Sequence, residues 1–217
     1  PQHTLDVNGA INIADDSAYQ INGTPVLRTQ QLITTFGDTA INLYLGPGAG
    51  QNNTTGPYNY FSGYQAGAAN TTGSFNHFVG YEAGLSNTVG IENHFSGYQA
   101  GINSTGDVNH FVGHQAGFRN TKGRFNHFSG YLAGFDNTTG NNNHFIGFAA
   151  GRSNTTGDRN HFSGFAAGNR NTTGSDNYFS GHGAGGDNTT GRENVYIGYE
   201  AGRNGNFTNA IVIGANV

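Results

Sequence analysis

Apolar and polar residues alternate over short stretches of this chain, and the pattern returns every 17 residues. Phe78, for example, lies between His77 and Val79 and follows Asn76. The same Asn recurs at steps of 17 residues, with one step of 16 and a last step of 15, at positions 42, 59, 76, 93, 109, 126, 143, 160, 177, 194 and 209. The unit reads Asn-His-Phe-Ser/Val-Gly-Tyr-x-Ala-Gly-x-x-Asn-Thr-Thr-Gly-x-x, and such self-similarity indicates a repeat protein. We number its positions 1 to 17 from the first Asn.

The unit is too short and too rich in Gly for helices. A helical repeat needs roughly 33 residues for two packed helices, and each Gly would destabilise a helix by about 1 kcal/mol. Positions 1 to 6 alternate as a strand does, Asn-Thr-Thr-Gly predicts a turn, and Ala-Gly predicts a second corner. The sequence therefore predicts an all-β, parallel β-solenoid or β-roll of about ten coils, each with two short strands and two turns. Stacked about 4.8 Å apart, the coils would form a rod of roughly 48 Å.

Stacking turns each position of the unit into a column of like side chains. We expect the Phe column to be the structural core, made of Phe61, Phe78, Phe95, Phe111, Phe128, Phe145, Phe162 and Phe179 and closed by Tyr196. The Asn of the turn predicts a ladder of side-chain hydrogen bonds, formed by Asn70, Asn87, Asn103, Asn120, Asn137, Asn154, Asn171 and Asn188. The single 16-residue step indicates that one residue is missing near this turn, where a deletion costs least.

Residues 1–41 do not follow the 17-residue rule. Leu5–Ile13 and Tyr19–Leu27 each alternate around a central Asn-Gly or similar turn, and Asn-Gly between alternating apolar residues is a strong hairpin signal. The sequence therefore predicts a β lead-in or cap over 1–41 and the 17-residue repeat β-solenoid over 42–217. Because one coil encloses little interior and a lone two-stranded roll is marginally stable, we also expect lateral association, most simply a homotrimer around a common long axis.

The composition excludes several classes of function. Only 10% of the residues are charged, the net charge is −4, and nine Lys and Arg are too few for a nucleic-acid footprint. The absence of Cys excludes disulfides and thiolate metal sites. The sequence contains no run of 18 apolar residues, the length that a transmembrane helix needs, so we expect no membrane insertion. We expect no cofactor, and since the chain starts at Pro1 without Met or a signal peptide, we expect a fragment or a processed piece.

One column consists of imidazoles, at His77, His94, His110, His127, His144 and His161. Six imidazoles about 4.8 Å apart could bind transition metals or change charge with pH. A metal site needs ligands that converge, however, and parallel side chains in a column do not converge by themselves. Stacking and interface packing is therefore the favoured interpretation, and we predict no metal site.

A second aromatic column, at position 6, varies more in sequence and is expected to be partly exposed. Its tyrosines could contact a glycan or a protein receptor, because Tyr combines an apolar face with a polar tip; packing is the competing interpretation. The candidates are Tyr64, Tyr81, Tyr98 and Tyr131. The paired threonines suggest an ice-binding array, but adjacent strand residues point to opposite faces, which disfavours a flat threonine plane.

Several motifs resemble those of known bacterial and phage proteins. Val195-Tyr196-Ile197-Gly198 and Ala210-Ile211-Val212-Ile213-Gly214, each after Asn, resemble the short repeats of trimeric autotransporter adhesin heads. Gly-Tyr-x-Ala-Gly followed by Asn-Thr-Thr-Gly resembles repeats of bacterial and bacteriophage tail-fibre-like proteins, and Leu5–Ile13 together with Tyr19–Leu27 is similar to their lead-in. The resemblance implies a trimeric, left-handed β-roll in an extracellular fibre or adhesin. A self-cleaving chaperone domain often follows such a roll, and we expect it to have been removed or to lie outside this chain.

These observations favour a structural and adhesive fibre segment at a cell surface or on a phage-tail-like particle. Its repetitive surface would bind a cell-surface glycan or protein receptor multivalently. The alternative is a structural rod or spacer whose recognition site lies elsewhere. A glycan-depolymerising fibre and an ice-binding protein are less favoured, and we predict that the chain is not an enzyme because no paired carboxylates or catalytic spacing stand out.

Overall fold

The computed structural model describes residues 18–33 and 39–217, and within them the chain is all-β, without a helix. Thirteen strands form one sheet in which each strand pairs with its neighbours in sequence. The first three are β1 (Ala18–Ile21), β2 (Thr24–Ile33) and β3 (Thr39–Leu45). Ten three-residue strands follow: β4 Tyr60–Ser62, β5 His77–Val79, β6 His94–Ser96, β7 His110–Val112, β8 His127–Ser129, β9 His144–Ile146, β10 His161–Ser163, β11 Tyr178–Ser180, β12 Val195–Ile197 and β13 Ile211–Ile213.

The predicted hairpin at the start of the chain is present. β1 and β2 are antiparallel, and Asn22 and Gly23 connect them with φ of 50° and 74°, the left-handed pair that two-residue hairpins favour. β2 then pairs antiparallel with β3, and β3 pairs parallel with β4, so β3 joins the hairpin to the repeats. The segment Leu5–Ile13 lies outside the described residues.

The prediction of stacked 17-residue coils is confirmed. From β3 to β13 the strands are parallel and in register, so that Phe61 pairs with Phe78 and Phe78 with Phe95. From Phe61 to Tyr196, the ring centroids of successive coils are 4.7–4.9 Å apart, which is the spacing of hydrogen-bonded strands. The result is a parallel β-solenoid of about ten turns; its left-handedness stays a prediction.

The prediction of two strands per coil is wrong, because each described coil contains a single strand, which has three residues from β4 onward. The rest of the coil is a series of tight turns, in which the amides of Ala66 and Asn70 donate to the carbonyls of Gly63 and Gly67 at 3.3 and 3.0 Å. Residues at positions 5, 7 and 9 have positive φ (135°, 51° and 57° in the coil that contains Gly63, Gln65 and Gly67). A backbone that enters the left-handed region at every second residue folds back and cannot extend into a strand.

The Phe column lies in the interior of a single chain, and each of its rings is 0% exposed. The Ala of position 8 packs beside it in the same cluster. The Gly of position 9 also lies against the ring. A single chain therefore buries its own core. The expected homotrimer is not needed to cover exposed core residues. Any association has to be argued from the outer surface.

Two columns of Asn make the rest of the interior polar. At position 1, the Nδ2 of Asn126 crosses its own coil to the carbonyl of Gly140 at 2.8 Å, while its Oδ1 accepts the backbone amide of Asn143 in the next coil at 3.0 Å. At position 12, the Nδ2 of Asn137 donates to Gly140 at 3.0 Å and to Oδ1 of Asn120 at 2.7 Å. These bonds satisfy buried amides that would otherwise destabilise the fold.

The predicted turn ladder needs two corrections. Ser104, not Asn103, occupies position 12 of the short coil: it is 0% exposed and its Oγ accepts from Asn120 Nδ2 at 2.9 Å, whereas Asn103 donates to the Phe118 carbonyl at 3.0 Å. The ladder is also interrupted at Asn87, whose Oδ1 accepts the Gly90 amide of its own turn at 2.7 Å. The missing residue of the short coil belongs to position 14, between the serine and the glycine of this turn, as expected.

Strand β2 covers the first coil with two polar side chains. Gln30 Oε1 accepts from Tyr44 Oη and from Asn53 Nδ2, each at 2.9 Å. The Arg28 guanidinium lies 4.4 Å from the centre of the Tyr44 ring and donates to the Gly50 carbonyl at 2.5 Å. β2 therefore closes the end of the aromatic core and supplies an acceptor to the first Asn of the ladder.

Candidate binding surface

The outer face of the strands carries two columns of side chains. Strand alternation directs position 3 into the core and positions 2 and 4 to the surface. Position 2 forms the histidine column (His77, His94, His110, His127, His144 and His161), and position 4 alternates between Ser and Val or Ile. Both columns are half-buried for the most part, with burial patterns such as that of His110–Val112.

The histidine rings lie at strand spacing but do not form an ordered stack. Successive centroids are 4.6–4.7 Å apart, and the angles between ring planes range from 25° to 89°. Burial, followed by repulsion from the neighbouring imidazoles, lowers the pKa of His94, His127 and His161. These three imidazoles are therefore mostly uncharged at neutral pH.

Metal ligation by several side chains at once is not supported by this geometry. Within residues 18–33 and 39–217, no three His, Asp or Glu side chains form a group that could hold a metal ion. The imidazoles follow one another along the rod and do not converge on a common point, which is what a tightly bound transition metal requires.

The aromatic column at position 6 is exposed and well stacked. Tyr64, Tyr81, Tyr98 and Tyr131 are 43–45% exposed. Along the column the centroids of successive rings are 4.9–5.3 Å apart and their planes lie within 5–19° of parallel. Each ring face is covered by the next ring, so a sugar cannot stack on a face within the column. What the column presents to a ligand is a row of ring edges and tyrosine hydroxyls.

A row of hydrogen-bonded polar side chains follows part of the aromatic column. At position 7, Gln99 Nε2 donates to Glu82 Oε2 at 2.8 Å, and Gln115 Nε2 donates to Gln99 Oε1 at 2.9 Å. Partial desolvation, followed by the Glu82 carboxylate, raises the pKa of Tyr81. The Tyr81 hydroxyl is therefore protonated at neutral pH and can donate a hydrogen bond. Hydroxyls and amides next to ring edges suit a polar, hydroxyl-rich ligand.

Several charged side chains on the other parts of the surface form ion pairs between consecutive coils. Arg119 pairs with Asp136 at 2.9 Å, and Arg159 pairs with Asp176 at 2.6 Å. Each pair is largely exposed, so its contribution to stability is small, about 0–1 kcal/mol. These pairs link neighbouring coils on the surface. Because each pair combines one positive and one negative side chain, they do not form a positively or negatively charged patch.

The burial of the Asn at position 1 was not predicted from the sequence, where this residue was used only to define the repeat length. Strand alternation was a usable signal for it, because position 2 points outward and positions 1 and 3 therefore point into the core. The non-glycine residues with positive φ at positions 7 and 17, such as Gln99 (52°) and Phe125 (58°), had no such signal because the residue types there vary widely.

Comparison with family models, with curated proteins and with solved structures finds no match to this chain. The described residues include no helix that is long and apolar enough to cross a membrane. The functional argument therefore rests on the solenoid and its surface columns.

Proposed function

We propose that this chain is a structural and adhesive segment of an extracellular fibre, assembled as a homotrimer and carried by a cell surface or a phage-tail-like particle. Its repetitive surface binds a cell-surface glycan or protein receptor at many points. The observation that carries this proposal is the exposed aromatic column, which repeats one kind of contact at 4.9–5.3 Å spacing from Tyr64 to Tyr199.

The mechanism is avidity. A single ring edge with its hydroxyl makes a weak contact, but linked contacts on one rigid rod act at high effective concentration. The in-register strands and the buried Asn bonds keep the rod rigid, so the contacts need not be ordered when the ligand binds. Association of three chains would triple the number of contacts.

The competing function is that of a structural rod with no ligand of its own. Ring-on-ring stacking favours it, because the aromatic column already satisfies its own faces and needs no ligand to cover them. In that case the column contributes to the cohesion of the rod and recognition occurs elsewhere on the particle.

A glycan array and a panel of whole bacterial cells would separate the two functions. The test variant replaces Tyr64, Tyr81, Tyr98 and Tyr131 together by Phe, which keeps the stack and removes four hydroxyls. The control is Tyr58→Phe, because Tyr58 is 42% exposed but belongs to position 17, outside the column.

We expect multivalent binding by the natural chain, a loss of about tenfold or more in the fourfold variant, and no change in the control. Binding to no glycan and no cell would favour the structural rod. Release of oligosaccharides from a bound polymer would contradict the proposal and point to a depolymerase.

A further inference from the structure

The charged residues of the solenoid avoid one side of every coil. From the coil that starts at Asn42 to the one that starts at Asn194, positions 1 to 6 contain no Asp, Glu, Lys or Arg. Charged residues occur instead at positions 7, 10, 11, 14, 16 and 17, as at Glu82, Arg119 and Asp176. We call the outward side chains of the strand positions 2 and 4 the uncharged strip; position 6, with the aromatic column, belongs to the turn that follows the strand and lies outside the strip. A contiguous, weakly polar surface of this length on an otherwise charged rod is typical of an interaction surface.

The position 4 column of this strip alternates in size from coil to coil. Ser and an aliphatic residue take turns over seven consecutive coils at position 4: Ser62, Val79, Ser96, Val112, Ser129, Ile146 and Ser163. The strands that carry them pair in register, so small and large side chains alternate along a straight line. In a trimer around a common axis the three strips meet with equal coils at the same height, so layers of serine alternate with layers of aliphatic side chains along the axis. The serine layers would let the chains approach closely, and the aliphatic layers would supply apolar contacts between them.

The shape of the strip fits association between chains. Nine coils, from β4 to β12, give roughly 43 Å of length at about 4.8 Å each, and the three strand residues of each coil give roughly 10 Å of width. The footprint is therefore roughly 430 Å², below the roughly 600 Å² per partner at the lower end of specific interfaces, so the contact is expected to be weak and reversible. The occupant of such a strip must itself be long, straight and repeated at strand spacing, and a second copy of this chain has all three properties.

We propose that copies of this chain associate with their uncharged strips facing each other, and that acid separates them by charging the histidine column. This inference rests on the homotrimer of the proposed function and names the surface that holds the copies together. Because the core is closed within one chain, the strip is available for this contact without refolding.

The surroundings of the histidine column explain why acid would act on it. Each histidine is flanked by the histidines of the coils above and below, with Tyr60 and Tyr178 at the two ends and the uncharged position 4 beside it. Among the described residues no carboxylate forms an ion pair with a histidine. Two charged residues stand at position 17, two residues before a histidine: Glu92 before His94 and Arg159 before His161. Arg159 is already paired with Asp176 at 2.6 Å.

The direction of the pH effect follows from these neighbours. Contact between two strips removes the imidazoles further from water, and the burial of a cation without a partner is unfavourable. Protonation therefore favours the separated chains, and association weakens as the pH falls through the imidazole pKa values of the separated chains, which for His94, His127 and His161 lie below the ordinary value of about 6.5. Repulsion along the column, with centroids 4.6–4.7 Å apart, acts in the same direction.

The test is the mass of the whole chain in solution by analytical ultracentrifugation at pH 8 and at pH 5. The first variant, Ser129→Lys, places a charge at the centre of the strip. Its matched control is Thr139→Lys, because Thr139 is exposed at position 14, where the neighbouring coil already has Lys122. A second variant replaces His94, His127 and His161 by Gln, which keeps polar side chains in the column and removes three imidazoles.

We expect three times the mass of one chain at pH 8 and the mass of one chain at pH 5. Ser129→Lys should weaken association by about tenfold or more at pH 8, Thr139→Lys should leave it unchanged, and the triple Gln variant should stay associated at pH 5. A single chain at pH 8 up to high micromolar concentration would overturn the inference, even if cells or glycans are still bound. Association that Ser129→Lys leaves intact would exclude the strip but not the homotrimer, and association by the natural chain at pH 5 would exclude the acid step.

Discussion

The ring of Phe128 lies against the backbone of Gly134, six residues later in the same coil. A Cβ at Gly134 would lie 2.5 Å from two carbon atoms of that ring, and Gly134 has φ of 57°. The same relationship recurs in each coil, for example between Phe78 and Gly84, where the closest distance is also 2.5 Å. The glycine of position 9 therefore allows the turn to close directly over a full aromatic ring, and this contact fills most of the coil's interior.

Gly134→Ala should destabilise the solenoid by about 2–4 kcal/mol, because the methyl group overlaps a buried ring and adds strain at positive φ. Gly183→Ala is the matched control: its φ is 65°, but its Cβ would only touch the flexible Glu200 side chain at 3.3 Å. Ala149 and Ala166 already occupy the same position 7 with φ of 52° and 53°. The midpoint of urea unfolding checks the prediction, and equal shifts for the two variants would show that the clash is unimportant.

The ladder position Asn137 should tolerate Ser better than Ala. Asn137→Ala removes the bonds to Asn120 Oδ1 at 2.7 Å and from Asn154 Nδ2 at 2.8 Å, and a buried oxygen left without a donor costs about 1–3 kcal/mol. Asn137→Ser keeps a hydroxyl where Ser104 already serves as an acceptor in another coil. We expect a loss of about 2–4 kcal/mol for Ala and about half of it for Ser. Chemical unfolding of both variants measures the difference, and a larger loss for Ser would contradict the role assigned to the ladder.

The stacking of the coils could be predicted from the sequence because the period is a direct consequence of the geometry. When every coil has the same number of residues, equivalent residues of successive coils stack on each other, and the Phe residues at position 3 form a straight column. The burial of that Phe also follows from its strand neighbours, His and Ser or Val, which alternate with it. The turn at Asn-Thr-Thr-Gly follows from the preference of Asn and Gly for turns.

The missing second strand could not be predicted, because it depends on φ at positions where the side chain gives no signal. Gln99 and Leu132 both occupy position 7 with positive φ (52° and 54°), although neither residue type favours it. The backbone there is held by the glycines on either side and by hydrogen bonds to the adjacent coils, such as Gln99 N to the Tyr81 carbonyl at 2.8 Å. These contacts between coils decide the conformation, and a single unit does not reveal them.

The candidate surface was predicted in part. The aromatic column is exposed, as its variable sequence indicated, but its ring faces are occupied by its own members, which only the stacked structure shows. Whether Tyr64 and its counterparts contact a receptor stays a prediction. The uncharged strip could have been found by plotting the charges against the 17 positions, since it depends on sequence alone.

The folded chain should lose stability on acidification. The pKa values of His94, His127 and His161 are lowered in the folded state, so the unfolded chain binds more protons between its own pKa, about 6.5, and the lower folded values. Stability is therefore full above about pH 6.5 and falls as the pH drops through the folded pKa values. We expect the melting temperature to fall by a few degrees between pH 8 and pH 5.

The variant with Gln at these three positions should show a smaller fall in melting temperature over the same pH range. Circular dichroism at submicromolar concentration, where association between chains is minimal, makes the comparison. An equal fall in the natural chain and in the variant would assign the acid sensitivity to other groups. A melting temperature independent of pH would show that the imidazoles are as well solvated in the folded chain as in the unfolded one.

Deletion of Thr139 should cost much less stability than deletion of Ser129. Thr139 is at position 14, which the short coil lacks, and its amide shares the Thr155 carbonyl with the amides of Thr138 and Gly140 at 3.2, 2.9 and 3.3 Å. Its loss therefore leaves two donors on that acceptor and shortens an exposed turn. Deletion of Ser129 instead shifts the following residues by one, and a shift of one residue within a strand exchanges inward and outward side chains.

We expect the Thr139 deletion to keep the circular dichroism spectrum of the natural chain and to lose less than about 2 kcal/mol, as is usual for changes in surface turns. The Ser129 deletion should lose more than that, because Gly134 would no longer meet the ring of Phe128. Urea unfolding of the two deletions gives the comparison. If both deletions lower the free energy of unfolding by the same amount, position 14 is not generally dispensable. The short coil would then depend on residues of its own, such as Ser104, to tolerate the missing residue.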